Sequence, residues 1–284
     1  MDLLTHLLNS LYTMAAMVEA RDAYTGGHLW RVSQFSKLIA QDMGLPDTEV
    51  ARIALGGFLH DLGKIGVPDA ILNKPDKLTD EEYDVIKTHP AMGEHLLANH
   101  PLAHLVHDAV VLHHETPDGR GYPRGLTGDA IPLVAKIVGI TDAFDAMTST
   151  RPYRKGMPIA RALEIIRDNL GRQFDAEIAD RFIRMGQAGV LDHIVGHSEP
   201  GIPLQSCPMC GPIIAVPKKT RTGDLTACPA CRNELRAIGG DGDWRFVPTG
   251  RRAPAQPLVI DHELIEGLTQ LVRTSLGDKV LQAA

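Results

Sequence analysis

His60 and Asp61 are adjacent in this 284-residue chain, and so are His113, His114 and Glu115. His28, His89, Asp142 and Asp145 stand in similar helix-like contexts, and the chain holds 13 histidines in all. Imidazole and carboxylate together are donors suited to Mn, Fe, Ni, Co or Zn, so the pattern points to metal binding. A His-Asp dipeptide alone is weak evidence, because many such pairs are a surface residue beside a helix cap. A second group is chemically different. Cys207-x-x-Cys210 and Cys228-x-x-Cys231 are separated by 17 residues, a spacing that suits one metal held by four thiolates.

The elements that must position these groups read as helices over residues 1–195. Leu3, Leu4, Leu7, Leu8, Leu11, Met14 and Val18 recur at helical spacing. Thr25 precedes a second periodic stretch, Leu29 to Met43, which Gly44 and Pro46 end. Asp47 is expected to cap a third helix running into His60, and Thr79 with Glu82 forms a capping box. Pro158 opens a later helix with Ile159, Ala162, Leu163, Ile166 and Leu170 on one face. No convincing two-residue alternation occurs before residue 200. From 198 onward Gly and Pro are frequent, and residues 239–256 read as a loop or linker. A last helix is expected from Asp261, with Leu264, Ile265, Leu268, Leu271 and Val272 on one face and Gly277 as its stop.

Composition bounds the class. Apolar residues make up 44% and charged residues 23%, which excludes wholesale disorder. The net charge of −6 argues against a chain that coats nucleic acid. No apolar run is long enough to span a membrane. The N-terminus opens with Asp2 and carries His6 and Asn9 in its apolar part, so it reads as an amphipathic helix rather than a signal sequence. With no secretory signal, the cysteine pairs indicate metal ligation in a reducing cytosol.

Further segments complete the pattern in order. They are Asp22-Ala-Tyr24-Thr-Gly-Gly-His28 followed by Arg31-Val32, FLHDLGKIGVPDAIL at 58–72 followed by Lys74-Pro75, THPAMGEHLL at 88–97, HHETPDGRGYPRGL at 113–126, ITDAFDAMTSTRPYR at 140–154 and GRQFD at 171–175. In this order and spacing residues 12–190 closely resemble the HD-GYP family of bacterial metal-dependent phosphohydrolases. The resemblance implies a mainly α, HD-type helical bundle that holds two or three metal ions and cleaves cyclic di-GMP to pGpG or GMP. Carried over by position, the metal ligands are His28, His60, Asp61, His89, His113, His114 and Asp142, with Asp61 as the bridge. The motif lysine falls on Lys64, a second acidic position on Asp145, and two arginines on Arg151 and Arg154. Tyr24 stands where some relatives carry a Glu for a third metal, so two metals are expected here.

The chemistry follows from charge. Two cations roughly 3.5–4 Å apart can hold a bridging hydroxide, clamp a phosphate oxygen and stabilise the leaving alkoxide. Two divalent ions bring +4 and Asp61 and Asp142 return −2, so the site is locally positive in an acidic protein. Asp145 would orient or deprotonate the water, or serve as a structural acid. Lys64 would neutralise a phosphate oxygen, or pair with a nearby acid. Arg151 and Arg154 would grip phosphate or guanine, or form a solvated surface pair. Gly121, Tyr122 and Pro123 read as a shaped loop bordering substrate or partner. His95, His100, His104, His107, His193 and His197 read as ordinary residues.

The cysteine module resembles zinc ribbons and rubredoxin-like modules, with zinc favoured over iron at Cys207, Cys210, Cys228 and Cys231. Ile213 to Val216 and Leu225-Thr226 would supply its short strands. Residues 201–240 carry five Lys/Arg against two acids. A four-thiolate zinc centre takes two charges off that +3, which favours a protein contact over nucleic acid. The expected organisation is a helical phosphohydrolase domain over 1–197, its N-terminal helix being 1–21, then a zinc ribbon over 198–240, and a linker with a C-terminal helix over 241–284. No receiver or sensor domain is expected ahead of the core, and the N-terminal helix is expected to pair with a second copy. Other readings are hydrolysis of a different cyclic dinucleotide or nucleotide, or a cyclic di-GMP-responsive scaffold.

Overall fold

The computed structural model describes residues 2–22, 26–74, 76–150, 156–210, 213–214, 220–228, 231–240, 243–254 and 260–277. Asp2 starts helix α1 (Leu3–Arg21) by accepting from the Thr5 amide, and Leu4, Leu8, Leu11, Tyr12, Ala15 and Val18 form its buried stripe. Helix α2 (His28–Asp42) follows Gly27, whose φ of 72° is left-handed. Thr25, placed before that helix by its sequence, lies outside the described residues. Helix α3 (Asp47–Leu59) is entered from Pro46, not capped by Asp47. Asp47 instead occupies the first turn, where its charge favours the helix dipole.

Short helices α4 (Asp69–Leu72) and α5 (Asp80–Ile86) lead to α6 (His89–Leu97), and α5 carries the expected Thr79–Glu82 capping box. Helices α7 (Ala103–Leu112), α8 (Leu133–Thr148), α9 (Ile159–Asp168) and α10 (Ala176–Gln187) complete the bundle. Helix α2 lies at its centre, against α3 and α8, and α3 also packs on α7. Phe35 meets Phe144 edge-on at 5.3 Å and Phe144 meets Phe182 at 4.9 Å, locking α2, α8 and α10 together. The fold is mainly α, as its sequence implies.

Strands follow the bundle. β1 (His197–Glu199) and β2 (Ile202–Pro203) form one antiparallel pair, and β3 (Gln205–Ser206) and β4 (Ile213–Ile214) another. β5 (Leu225–Ala227), β6 (Asn233–Gly240) and β7 (Asp243–Arg252) make an antiparallel sheet in that order. Its small core is Ile202, Cys207, Ile214, Cys228, Leu235, Ala237 and Phe246. Val216, expected in a strand, lies outside the described residues.

Three expectations are corrected. Residues 243–252 are strand, not linker, and pair with β6 from Gly240↔Asp243 to Asn233↔Arg252. Gly and Pro mask the alternation there, and Pro248 is accommodated because β7 is an edge strand. The C-terminal helix α11 (His262–Leu276), capped by Asp261, leaves the strand region and packs on α1 and α3. Ile265, Leu268, Val272 and Leu276 join the bundle core, whereas Leu271 is 60% exposed and lies off that face. The segment 241–284 is therefore divided between the sheet and the bundle. Finally, α11 and α3 cover the apolar stripe of α1, with Arg273 donating to Asp2 at 2.6 Å and Thr269 donating to Asn9 at 2.6 Å. The unpaired face on which a second copy was expected is filled from within the chain. Among the described residues no helix is long and apolar enough to cross a membrane.

Candidate metal centre

Three of the histidines are held by the helix ends that carry them. His60 follows the last residue of α3 and its Nδ1 donates to the Gly57 carbonyl at 2.8 Å. His113 follows α7 and its Nδ1 donates to the Ala109 carbonyl at 2.8 Å. His89 opens α6 and its Nδ1 donates to the Ile86 carbonyl at 2.8 Å. A carbonyl can only accept, so each neutral ring carries its proton on Nδ1 and presents a bare Nε2. His28, the first residue of α2, is held differently: its Nδ1 donates to Asp145 Oδ2 at 2.7 Å.

The free nitrogens converge in two sets. His28 Nε2 lies 3.3 Å from His60 Nε2, 3.4 Å from Asp61 Oδ2 and 3.4 Å from Asp142 Oδ1. His60 Nε2 is 3.3 Å from the same Asp61 oxygen. In the second set His89 Nε2 lies 3.2 Å from His113 Nε2 and 3.6 Å from Asp61 Oδ1. His114 completes it, all three histidines offering ligand atoms within 4.8 Å of one another. Asp61 thus turns one oxygen to each set.

These residues fit divalent cations. His89 and His113 both spend Nδ1 on carbonyls, so two lone pairs face each other at 3.2 Å. Only a proton or a cation between them relieves that repulsion. Burial pushes the His89 imidazole down to about 4 and, with its histidine neighbours, the His114 imidazole down to about 3. His113 is driven the same way, first by burial and then by the adjoining histidines. A proton is therefore the poorer occupant at neutral pH. His28 is opposite: burial lowers it, but Asp145 and Asp61 outweigh burial and raise it to about 9. Asp61 is buried, which favours its neutral form, yet Lys64 and His60 hold its carboxyl well below the usual range. Lys64 Nζ donates to Asp61 Oδ2 at 2.6 Å, and this pairing keeps the lysine charged against burial.

The loop that follows His114 supports its ring. A Cβ on Gly121 would stand 2.4 Å from the His114 carbonyl oxygen, so only glycine lets the chain pass there. Tyr122 stacks on the His114 ring with centroids 4.6 Å apart and planes 24° from parallel. Its amide donates to the His114 carbonyl at 3.1 Å. Pro123 follows through a cis peptide bond and is exposed. Glu115 anchors the loop by accepting from the amides of Arg124 at 2.6 Å and Leu126 at 2.8 Å.

Asp145 was expected among the groups acting on water, with a structural acid as the other reading. The geometry favours the second. Its oxygens accept from His28 Nδ1 and from Arg31, whose Nε lies 2.5 Å from Oδ1, and its side chain is 1% exposed. It lies behind His28, on the side away from the converging nitrogens. Arg151, Arg154 and Tyr24 lie outside the described residues. The sequence marks Arg31 as part of the motif after His28 but gives it no role, and it does not mark Glu19, which accepts from the Leu29 amide at 3.0 Å and so helps start α2.

The four cysteines converge as well. Cys207 Sγ lies 3.8 Å from Cys231 Sγ and Cys210 Sγ lies 3.5 Å from Cys228 Sγ. All four sulfurs fall within 4.8 Å of one another. Asn233 Nδ2 donates to Cys231 Sγ at 3.1 Å. Burial disfavours the thiolate, but Asn233 outweighs it and brings Cys231 down to about 6. That favours the ligand form.

A family model described as "HD domain" matches residues 12–178, more than half of the chain and every residue of the two His/Asp sets. The chain belongs to the HD domain family. This HD domain protein is 41% identical over 189 residues to the cyclic di-GMP phosphodiesterase response regulator RpfG of Xanthomonas campestris, covering 66% of this chain and 50% of that one. It is 39% identical over 181 residues to a cyclic di-GMP phosphodiesterase of Thermotoga maritima, covering 63% and 49%. To the 3'3'-cGAMP-specific phosphodiesterase 3 of Vibrio cholerae it is 41% identical over 162 residues, covering 57% and 35%. The chain spans about half the length of these curated relatives or less. Among solved structures, an HDG"Y"P protein of Bdellovibrio bacteriovorus aligns with a TM-score of 0.49 and 24% identity over 58% of this chain and 53% of that one. The HD domain of the L. monocytogenes phosphodiesterase PgpH aligns with a TM-score of 0.48 and 19% identity over 64% and 95%.

Proposed function

We propose that this HD domain protein is a metal-dependent phosphodiesterase that hydrolyses cyclic di-GMP to pGpG or GMP. The observation that carries the reading is Asp61, whose Oδ2 faces His28 and His60 while its Oδ1 faces His89. One carboxylate between two histidine-rich sets suits two adjacent divalent ions. His28, His60, Asp142 and Asp61 would hold one ion, and His89, His113, His114 and Asp61 the other. Fe, Mn, Ni, Co and Zn all accept such donors. When bound, such ions supply Lewis acidity to a phosphodiester and lower the pKa of water toward neutrality.

The chain's own groups do the rest. Lys64 brings a positive charge to the pocket wall beside Asp61, Asp22 and Glu19, where it can meet a phosphate oxygen. Asp145 fixes the tautomer and direction of His28. Tyr122 and Gly121 hold His114, and the Gly121–Pro123 loop remains a proposed border to substrate. Arg151 and Arg154 remain proposed contacts to phosphate or guanine. The four cysteines would hold one structural zinc, whose bond energy substitutes for a large core in the strand region. Reduced thiolates suit the cytosol, and the strand region or the Gly121–Pro123 loop would meet a protein partner.

The activities named for the relatives support the substrate class. Similarity to a 3'3'-cGAMP-specific enzyme at 41% identity makes that dinucleotide the second reading. The test is turnover by the full-length protein, loaded in turn with Mn, Fe(II), Co and Zn, on cyclic di-GMP, 3'3'-cGAMP and a cyclic mononucleotide. Preference for cyclic di-GMP supports the proposal. Preference for 3'3'-cGAMP supports the second reading, and binding without turnover under every metal supports a sensing scaffold.

A further inference from the structure

We infer that Arg31 is a positioning residue through which strand β1, beyond the family match, holds His28 in its ligating orientation. This rests on reading the His/Asp sets as a metal centre. Arg31 is 1% exposed and stands one helical turn after His28. A guanidinium has five N–H donors, and all five are placed here. Nε donates to Asp145 Oδ1 at 2.5 Å, and Nη2 to Asp145 Oδ2 at 3.0 Å and Ser149 Oγ at 3.2 Å. Nη1 donates to the Gly26 carbonyl at 3.0 Å and to the His197 carbonyl at 2.8 Å. Asp145 Oδ2 in turn accepts from His28 Nδ1 at 2.7 Å. A continuous hydrogen-bonded relay therefore runs from the backbone of His197, through Arg31 and Asp145, to His28.

The seat of β1 is tight. A Cβ on Gly27 would lie 2.5 Å from Ser198 Cα, so the β1 backbone rests directly on the residue preceding His28. The family match ends at residue 178, whereas His197 and Ser198 lie beyond it at the entry to the strand region whose connections hold the cysteines. A buried guanidinium tolerates no lost partner, because each unpaired N–H keeps its full desolvation cost. Lifting β1 must shift Arg31, and Arg31 holds both oxygens of the carboxylate that orients His28. Lys can replace it only in part, since an ammonium lacks the planar fork that spans Asp145 and the His197 carbonyl together.

The test is cobalt(II) titration of chelator-treated, full-length protein. The thiolate charge-transfer band reports the cysteines, and ligand-field absorption with a competing chelator reports the two His/Asp sets. Arg31→Met is expected to weaken the set containing His28 by about 10–100-fold, the usual loss when an outer partner of a ligand is removed. The set containing His89, His113 and His114 keeps its affinity. Ser198→Leu leaves every ligand, Arg31 and Asp145 in place, and is expected to weaken the same set by about 10-fold by unseating β1. Arg31→Lys falls between Arg31→Met and the natural protein. Unchanged two-step binding in both Arg31→Met and Ser198→Leu overturns the relay. So does equal loss of both steps, since the relay reaches only one set. If the natural protein binds no cobalt outside its cysteines, the metal-centre reading itself fails, and the relay with it.

Discussion

His89 and His113 face each other through Nε2 atoms 3.2 Å apart, while the Nδ1 atom of each donates to a carbonyl of its own neighbourhood. Two acceptors so arranged in a buried site are a liability without a cation, and this fixes how the metal-free protein answers to pH.

Chelator-treated protein should be most stable near pH 6.5 as far as these histidines decide it. His89, lowered to about 4, and His114, lowered to about 3, bind fewer protons folded than unfolded below the ordinary value of 6.5. Their contribution is full above 6.5 and is lost as pH falls toward 4 and 3. His28, raised to about 9, contributes fully below 6.5 and loses that contribution as pH rises through 9. Urea unfolding between pH 4 and 9.5 checks this. A flat profile across that range would remove the assigned proton positions.

Asp61→Ala should empty both His/Asp sets or leave one ion loosely held, because one carboxylate serves both. Phosphodiesterase activity should fall by several orders of magnitude while far-UV circular dichroism stays near that of the natural protein. Metal content by elemental analysis is the deciding measurement. Full turnover with the normal metal count would remove Asp61 from the bridge.

Tyr122→Ala should weaken metal retention at the set containing His114, while Tyr122→Phe stays close to the natural protein. The phenyl ring preserves the stack, and an aromatic pair of this kind contributes about 0.5–1.5 kcal/mol beyond its buried area. Gly121→Ala should act on the fold as well, because its Cβ would meet the backbone of His114, Glu115 and Thr116 rather than a movable side chain. Overpacking of this sort costs about 1–3 kcal/mol. Thermal unfolding together with zinc competition separates the two effects.

Cys228→Ser should release about one zinc, the structural site being closed by four thiolates. Hydrogen exchange should quicken across Leu225–Ala227, Asn233–Gly240 and Asp243–Arg252, whose shared core contains Cys207 and Cys228. Helices α2 and α8 should keep their protection, and hydrolysis should remain largely intact. Loss of hydrolysis with the His/Asp ions still bound would show that the cysteine region helps build the active site.

The sequence by itself determined most of the helices and the types of the candidate ligands. Apolar spacing, the Thr79–Glu82 box and the stops at Gly44 and Gly277 are local signals, and they bring a helix start close to His28 and a helix end to His60; the ends at His89 and His113 were not marked. The ordered His and Asp motifs marked the residues that the fold brings into two sets, and the paired cysteines marked the third group. Contacts between distant segments were decided only by tertiary structure. That Asp145 turns toward Arg31 and His28 depends on how α8 packs on α2, and both readings of its role were compatible with its position in the chain. That α11 returns to cover α1, and that Leu271 faces outward, depends on which neighbour buries which stripe. β7 was hidden because an edge strand tolerates Gly and Pro, and its pairing with β6 joins two segments rather than showing in a local pattern. The His197 carbonyl on Arg31 belongs to the backbone, and no residue type announces where a carbonyl will point.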